Sequence, residues 1–154
     1  DKLPGWANKL TEKVAFKRHT RNKLFSGMEK EISEKYTTTV TWKLELDELR
    51  ISYPERACLE MLNEVPGKIS IENAGQLIQG MTTLSPRTLQ NLLEACTNVK
   101  VKRLFLWFAS RHNYIWFSKL NMDKIDLGSG NRVIVKGGKL DKTYQITVPK
   151  DFQY

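Results

Sequence analysis

Hydrophobic residues in the middle of the chain recur with a helical period, whereas those near its two ends alternate with polar residues. Four successive stretches within residues 54–120 place apolar side chains at i, i+3, i+4 and i+7, which predicts four or five helices. Residues 37–53 and 132–148 alternate instead, which predicts a β-hairpin near each end, and residues 12–17 also resemble a strand. The pattern predicts one α+β domain over residues 1–154, with a mixed or antiparallel sheet of hairpins packed against the central helices.

Three of the predicted helices begin with residues that suit a helix N-terminus. Pro54 stands where a missing N–H costs nothing, and Ser70 and Ser85 can cap the helices that follow them. In the first hairpin, Val40 and Ile51 are expected to face inward, with the turn at Asp47-Glu48.

The fourth predicted helix begins near residue 99 and is apolar around most of its circumference, so we expect it to be buried. Its exposed sector should hold Lys100, Lys102, Arg103 and Arg111. Aromatic rings interleaved with basic residues could stack on a single-stranded nucleic acid, but their helical spacing favours a core position for the rings.

Four glycines lie between residues 124 and 149, where they could form either a phosphate-binding loop or two turns. A phosphate-binding loop opens directly into a helix, because the first N–H groups of that helix hold the phosphate. Here the Gly128-Ser129-Gly130 stretch is followed by a predicted strand, and Gly137-Gly138 lies inside the predicted second hairpin. The glycines are therefore interpreted as turns.

Charge is distributed unevenly along the chain, whose formal net charge is +8. Residues 1–23 hold seven basic and two acidic residues (+5), residues 24–98 hold seven and eleven (−4), and residues 99–154 hold eleven and four (+7). Such basic ends are suited to binding a polyanion, although a basic surface can also do no more than keep a protein soluble. The candidate nucleic-acid contacts are Lys100, Lys102, Arg103, Arg111, Arg132, Lys136, Lys139 and Lys142, followed by Arg18 and Arg21.

No catalytic, metal-binding or cofactor motif is found, and the chain is predicted not to be an enzyme. Cys58 and Cys96 lie in apolar helical patterns, which favours buried free thiols and a cytoplasmic location over a disulfide. Glu45, Asp47 and Glu48 could belong to a metal-dependent nuclease, but acids at a predicted turn are usually solvated. No apolar run is long enough to span a membrane.

Three phrases of the chain resemble the C-terminal domain of AbiEi antitoxins of type IV toxin–antitoxin systems. They are "SYPERACLEMLNEVP", "MTTLSPRTLQNLLEACTNVKVKRLFLWFASRHNYIWFSKL" and "IDLGSGNRVIVKGGKLDKTYQITVP", which together cover residues 50–149 closely. Residues 3–10, "LPGWANKL", are similar to the family's entry into this domain.

The resemblance implies a transcriptional autoregulator and antitoxin from an abortive-infection system, which gives resistance to phage. Its partners would be promoter DNA with inverted repeats, bound mainly by a winged helix-turn-helix, and a nucleotidyltransferase-like toxin that it counters. This chain would begin after the winged helix, and would supply a basic face without catalytic activity. The alternative is a protein–protein interaction module whose basic surface is only solvated.

Overall fold

The computed structural model describes residues 24–25, 35–41 and 48–152. The order of the elements is β1 (Thr37–Thr41), β2 (Glu48–Ser52), α1 (Pro54–Asn63), α2 (Ile71–Gln79), α3 (Pro86–Ala95), α4 (Val99–Ala109), 3₁₀ helices at Phe117–Lys119 and Met122–Lys124, β3 (Arg132–Val133), β4 (Lys139–Asp141) and β5 (Ile146–Val148). The predicted α+β class is confirmed. The helices occupy the middle of the sequence, and strands precede and follow them along the chain. The strand predicted at residues 12–17 lies outside the described residues.

The helices begin at the predicted capping residues. Ser70 Oγ accepts a hydrogen bond from Asn73 N–H at 3.1 Å, and Ser85 Oγ accepts one from Thr88 N–H at 3.3 Å. Asn98 caps α4, since its Oδ1 accepts from the N–H groups of the first turn. Each side chain satisfies an N–H group that has no partner within its own helix, so the caps define where the helices start.

Helix α4 is the centre of the fold. All nine residues from Val101 to Ala109 are buried, and the helix packs against α1, α2 and β5. Phe105 stacks on Trp116, with 5.8 Å between the ring centroids, and Trp107 and Phe108 both contact Phe152. A helix that is apolar on nearly every side must be covered on every side, which confirms the prediction that this one is buried.

The strands form two sheets in the described residues, not the single sheet predicted from the sequence. In the first, β1 and β2 pair antiparallel with Val40 opposite Leu49. Glu48 pairs with Thr41 inside this sheet, so its predicted place in a tight turn is wrong. Val40 and Ile51 are also more exposed than predicted, because the described part of the chain leaves that face of β1 and β2 partly open to solvent.

The second sheet has the order β3-β5-β4, with β3 parallel to β5 and β4 antiparallel to it. The simple hairpin predicted for residues 132–148 is wrong, because β4 occupies the stretch that was interpreted as its turn. Gly137 has a positive φ of 72°, and a Cβ on Gly138 would lie 2.1 Å from the carbonyl oxygen of Val148. The glycine pair therefore lets the chain turn and pass close to β5 before β4 begins.

Candidate nucleic-acid interface

The three basic residues in the first half of α4 do not form the exposed face predicted for them. Lys102 is buried, and Lys100 is half-buried. Lys100 Nζ donates hydrogen bonds to the carbonyl oxygens of Val65, at 2.6 Å, and Asn63, at 3.3 Å. These carbonyls lie at the end of α1, where a cation is favoured by the helix dipole, so Lys100 closes that helix.

Arg103 is buried with 2% of its surface exposed, and its guanidinium is surrounded by backbone carbonyls. Nε donates to Leu127 O at 2.7 Å, one terminal nitrogen donates to Gly130 O at 2.5 Å and Gln145 O at 3.2 Å, and the other donates to Gly128 O at 3.0 Å. These bonds attach residues 127–130 to α4. The prediction that Arg103 lies in the exposed sector of the helix is therefore wrong.

The glycine-rich stretch forms turns, as predicted, and β3 follows it. Gly128 and Gly130 have φ values of 60° and 72°, which residues with a Cβ rarely adopt. The loop of residues 127–131 presents carbonyl oxygens to the protein interior, whereas a phosphate loop presents N–H groups to its ligand. The side of the loop that faces α4 therefore binds the guanidinium cation of Arg103.

Two other predicted arginines lie nearer the surface. Arg111 is exposed and its guanidinium carbon is 4.3 Å from the centroid of the Trp107 ring, a cation–π contact. Arg132 is half-buried, and one of its terminal nitrogens donates to Asn131 O at 3.2 Å. Burial, and to a lesser extent the neighbouring charge of Arg132, lowers the pKa of Arg103. The two guanidinium groups are therefore close enough to repel each other.

The lysines of the second sheet are exposed. Lys136 lies in the turn after β3, Lys139 opens β4, and Lys142 lies in the turn between β4 and β5. Lys150, which was not among the predicted contacts, is also exposed. We call Lys136, Lys139 and Lys142 the sheet lysines. Arg18 and Arg21 lie outside the described residues.

A protein-family model described as "Transcriptional regulator, AbiEi antitoxin, Type IV TA system" matches residues 1–149. The chain belongs to the AbiEi antitoxin family. The resemblance identified in residues 50–149 is thus confirmed, and the match extends to the first residue. Searches of curated proteins and of solved structures found no match.

AbiEi antitoxins are transcriptional regulators, and the chemistry of the described residues is compatible with such a role. No three His, Cys, Asp or Glu side chains are grouped so that they could hold a metal ion in this part of the chain. Cys58 and Cys96 are free and buried, as predicted. Burial, reinforced by the charge of Glu55, raises the pKa of Cys58 to about 12, so this thiol is protonated at neutral pH and is a poor nucleophile. None of the described helices is long and apolar enough to cross a membrane.

Sequence patterns misplaced some basic residues of this AbiEi domain. Charged side chains are almost never fully buried unless they are paired, so residue type favoured exposure for Lys102 and Arg103. The partners of Arg103 are backbone carbonyls 24 to 42 residues away, which no local pattern shows. Lys150 was missed because it follows the last strand, where no periodic pattern marks it.

Proposed function

We propose that this AbiEi domain supports promoter binding through the sheet lysines, which contact the phosphate backbone without reading the base sequence. The carrying observation is that Lys136, Lys139 and Lys142 are exposed within one small sheet, in contrast to the basic residues of α4. Between residues 131 and 150 there are five basic residues and one acid, Asp141. Asp141 Oδ1 accepts a hydrogen bond from Tyr144 N–H, which holds the adjacent turn.

Contacts of this kind position a protein on DNA but carry little sequence information. Lysine is a flexible point charge that meets phosphates at many orientations, whereas the planar groups of Arg, Asn and Gln are better suited to paired hydrogen bonds with one base. Sequence recognition belongs in this proposal to a winged helix-turn-helix that binds inverted repeats. The domain acts without catalysis in the cytoplasm, and the full antitoxin counters a nucleotidyltransferase-like toxin.

The test is to replace all three sheet lysines by Gln in the full-length protein and to measure DNA binding against salt concentration. Each lost phosphate contact should flatten the plot of log K against log salt by about 0.9, so three contacts should remove between 2 and 3 units of slope in rough terms. Affinity for promoter DNA and for a scrambled duplex should fall by similar factors.

The matched control replaces Lys68, Lys119 and Lys124, three exposed lysines outside the sheet, by Gln. It removes the same formal charge, so a purely global electrostatic effect would weaken binding equally in both variants. If the two variants bind alike, or if neither changes the salt slope, the proposed role of the sheet lysines is wrong.

An interaction module is the second candidate function. Val133 and Leu140 both pair with Thr147, so they lie in one row across the sheet, and they are 64% and 40% exposed. An exposed apolar row of this kind is typical of a protein contact. Binding of a protein partner that is insensitive to salt, together with unchanged DNA binding in the lysine variant, would support this alternative.

A further inference from the structure

The loop of residues 127–131 has an inner side, which faces Arg103, and an outer side, which faces solvent. Gly128, Ser129, Gly130 and Asn131 are all exposed, although their backbone is bound to a buried side chain. Arg103 cannot lose its proton at any ordinary pH, so a full positive charge lies directly behind this thin layer of backbone.

The peptide groups of the loop are oriented by that charge. In a trans peptide the C=O of one residue and the N–H of the next point in opposite directions. Since the carbonyls of Leu127, Gly128 and Gly130 point at the Arg103 guanidinium, the N–H groups of Gly128, Ser129 and Asn131 point away from it. Three peptide dipoles therefore direct their positive ends outward, and the buried cation adds to their potential.

One of these three N–H groups already holds an anionic oxygen. Gly128 N–H donates to Asp126 Oδ1 at 2.8 Å. The N–H groups of Ser129 and Asn131 have no hydrogen-bond acceptor within the described part of the protein. Backbone N–H groups beside residues of positive φ can form a concave anion site, and the N–H groups of Ser129 and Asn131 each adjoin a glycine of positive φ.

Arg132 completes the charge at this site. One terminal nitrogen of its guanidinium lies 3.7 Å from the point that a Cβ on Gly130 would occupy, so the group lies against the loop. Among the described residues, its guanidinium makes one hydrogen bond, to Asn131 O, and further donors of the planar group remain available. Ser129 adds an exposed hydroxyl.

We propose that residues 128–132 form a phosphate-binding site, in which the Ser129 and Asn131 amides and the Arg132 guanidinium hold the anion. Arg103 is a positioning residue, which orients the peptide groups and makes the outer side of the loop electropositive. Asp126 opposes the anion, because its carboxylate is the acidic group held by the loop. The phosphate belongs either to DNA, in which case this inference rests on the proposed function, or to a free phosphate group.

Amide chemical shifts from the 154-residue chain test the site directly. Inorganic phosphate and a short DNA duplex are titrated separately, and the N–H resonances of Ser129 and Asn131 are followed. If the phosphate is that of DNA, the duplex saturates both shifts at a concentration at which inorganic phosphate leaves them unchanged. If it is a free phosphate, inorganic phosphate saturates them and the duplex does not compete.

Two substitutions in the loop should change the affinity of the site for phosphate in opposite directions. Arg132→Gln should raise the apparent Kd of the active probe about tenfold or more, the loss expected for one charge-assisted hydrogen bond. Asp126→Asn should lower the Kd about twofold, because it removes a nearby negative charge. Lys119→Gln, which removes an exposed charge outside the loop, is the control and should leave both amide shifts as in the wild type.

The proposal is overturned if neither probe shifts the Ser129 and Asn131 amides, or if Arg132→Gln binds the probe like the wild type. These outcomes are distinct from failure of the proposed function. The salt slope could flatten in the sheet-lysine variant while the Ser129 and Asn131 amide shifts do not change with either probe. That result would support DNA binding by the sheet lysines and reject the loop site alone.

Discussion

Helix α4 and the second sheet both carry clusters of basic residues, but the two clusters have opposite environments. Lys102 and Arg103 are buried within the helical core, whereas Lys136 and Lys139 are exposed on the sheet. In the core, guanidinium donors replace water by binding backbone carbonyls, and on the sheet the lysines keep their hydration. The comparison teaches that a basic stretch of sequence can contribute to stability or to ligand binding according to which neighbours cover it.

The strongest test of this contrast is Arg103→Met, which keeps an unbranched side chain but removes every donor. Four carbonyl oxygens would lose their shared donor group in a place that water reaches poorly. We expect the free energy of unfolding to fall by about 3 kcal/mol or more, measured by chemical denaturation.

Arg111→Met is the matched control, because Arg111 is exposed and its guanidinium contacts the Trp107 ring. It should cost about 0.5–1 kcal/mol, the usual contribution of an exposed cation–π contact. If the two substitutions cost the same, the carbonyl cluster around Arg103 does not stabilise the fold.

A second test uses pH on a buried ionisable group of the core. Cys58 has a folded pKa of about 12, above the ordinary value of 9.0, so the protonated thiol favours folding fully below pH 9. This contribution is lost as the pH rises from 9 towards 12, by up to about 1.4 kcal/mol per pH unit. The free energy of unfolding, measured by denaturation at about pH 8 and pH 10, should therefore fall more between these two pH values in the wild type than in Cys58→Ala.

Tyr114 also ionises in the alkaline range, so both proteins are compared in a Tyr114→Phe background. Burial, and to a lesser extent the charge of Cys58, raises the pKa of Tyr114, so its contribution would otherwise differ between the two proteins. Equal pH slopes for wild type and Cys58→Ala would show that the thiol does not ionise differently in the folded and unfolded states.

A third test concerns Lys100, which lies between the two extremes. Lys100→Met removes the hydrogen bonds to Asn63 O and Val65 O, but Lys100 is only half-buried, so water can replace part of what is lost. We expect a loss of about 1 kcal/mol in the free energy of unfolding, smaller than for Arg103→Met. Lys119→Met, at an exposed position, should be near neutral, and a cost for Lys100→Met no greater than this would contradict the capping role.

The smallest effect on stability is expected for the sheet lysines. Replacing Lys136, Lys139 and Lys142 by Gln should change the free energy of unfolding by less than about 0.5 kcal/mol per position, since exposed side chains contribute little. Thermal denaturation of the variant used for DNA binding checks this. A large loss would mean that the lysines hold the sheet, and its DNA-binding defect would then report unfolding.

Local patterns were sufficient for the helices but not for the strands. The caps at Ser70 and Ser85 are hydrogen bonds within three residues, and the burial of α4 could be predicted because its apolar pattern surrounds the helix. The second sheet depends on β5 pairing with β3 in parallel and with β4 in antiparallel orientation, and strands of two or three residues carry too little periodicity to reveal this. The interpretation of residues 137–142 as one turn failed for that reason.

The sequence by itself determined the helical centre, the turns at Gly128 and Gly130, and the membership in the AbiEi family, because each rests on a local pattern or on a long run of matching residues. Only the tertiary structure decided which cations are available to a ligand. Burial is a property of packing between distant segments: Arg103 lies 24 to 42 residues from the carbonyls that bind it. Without those contacts, nothing in the charge pattern separates an arginine that orients a loop from a lysine that meets solvent.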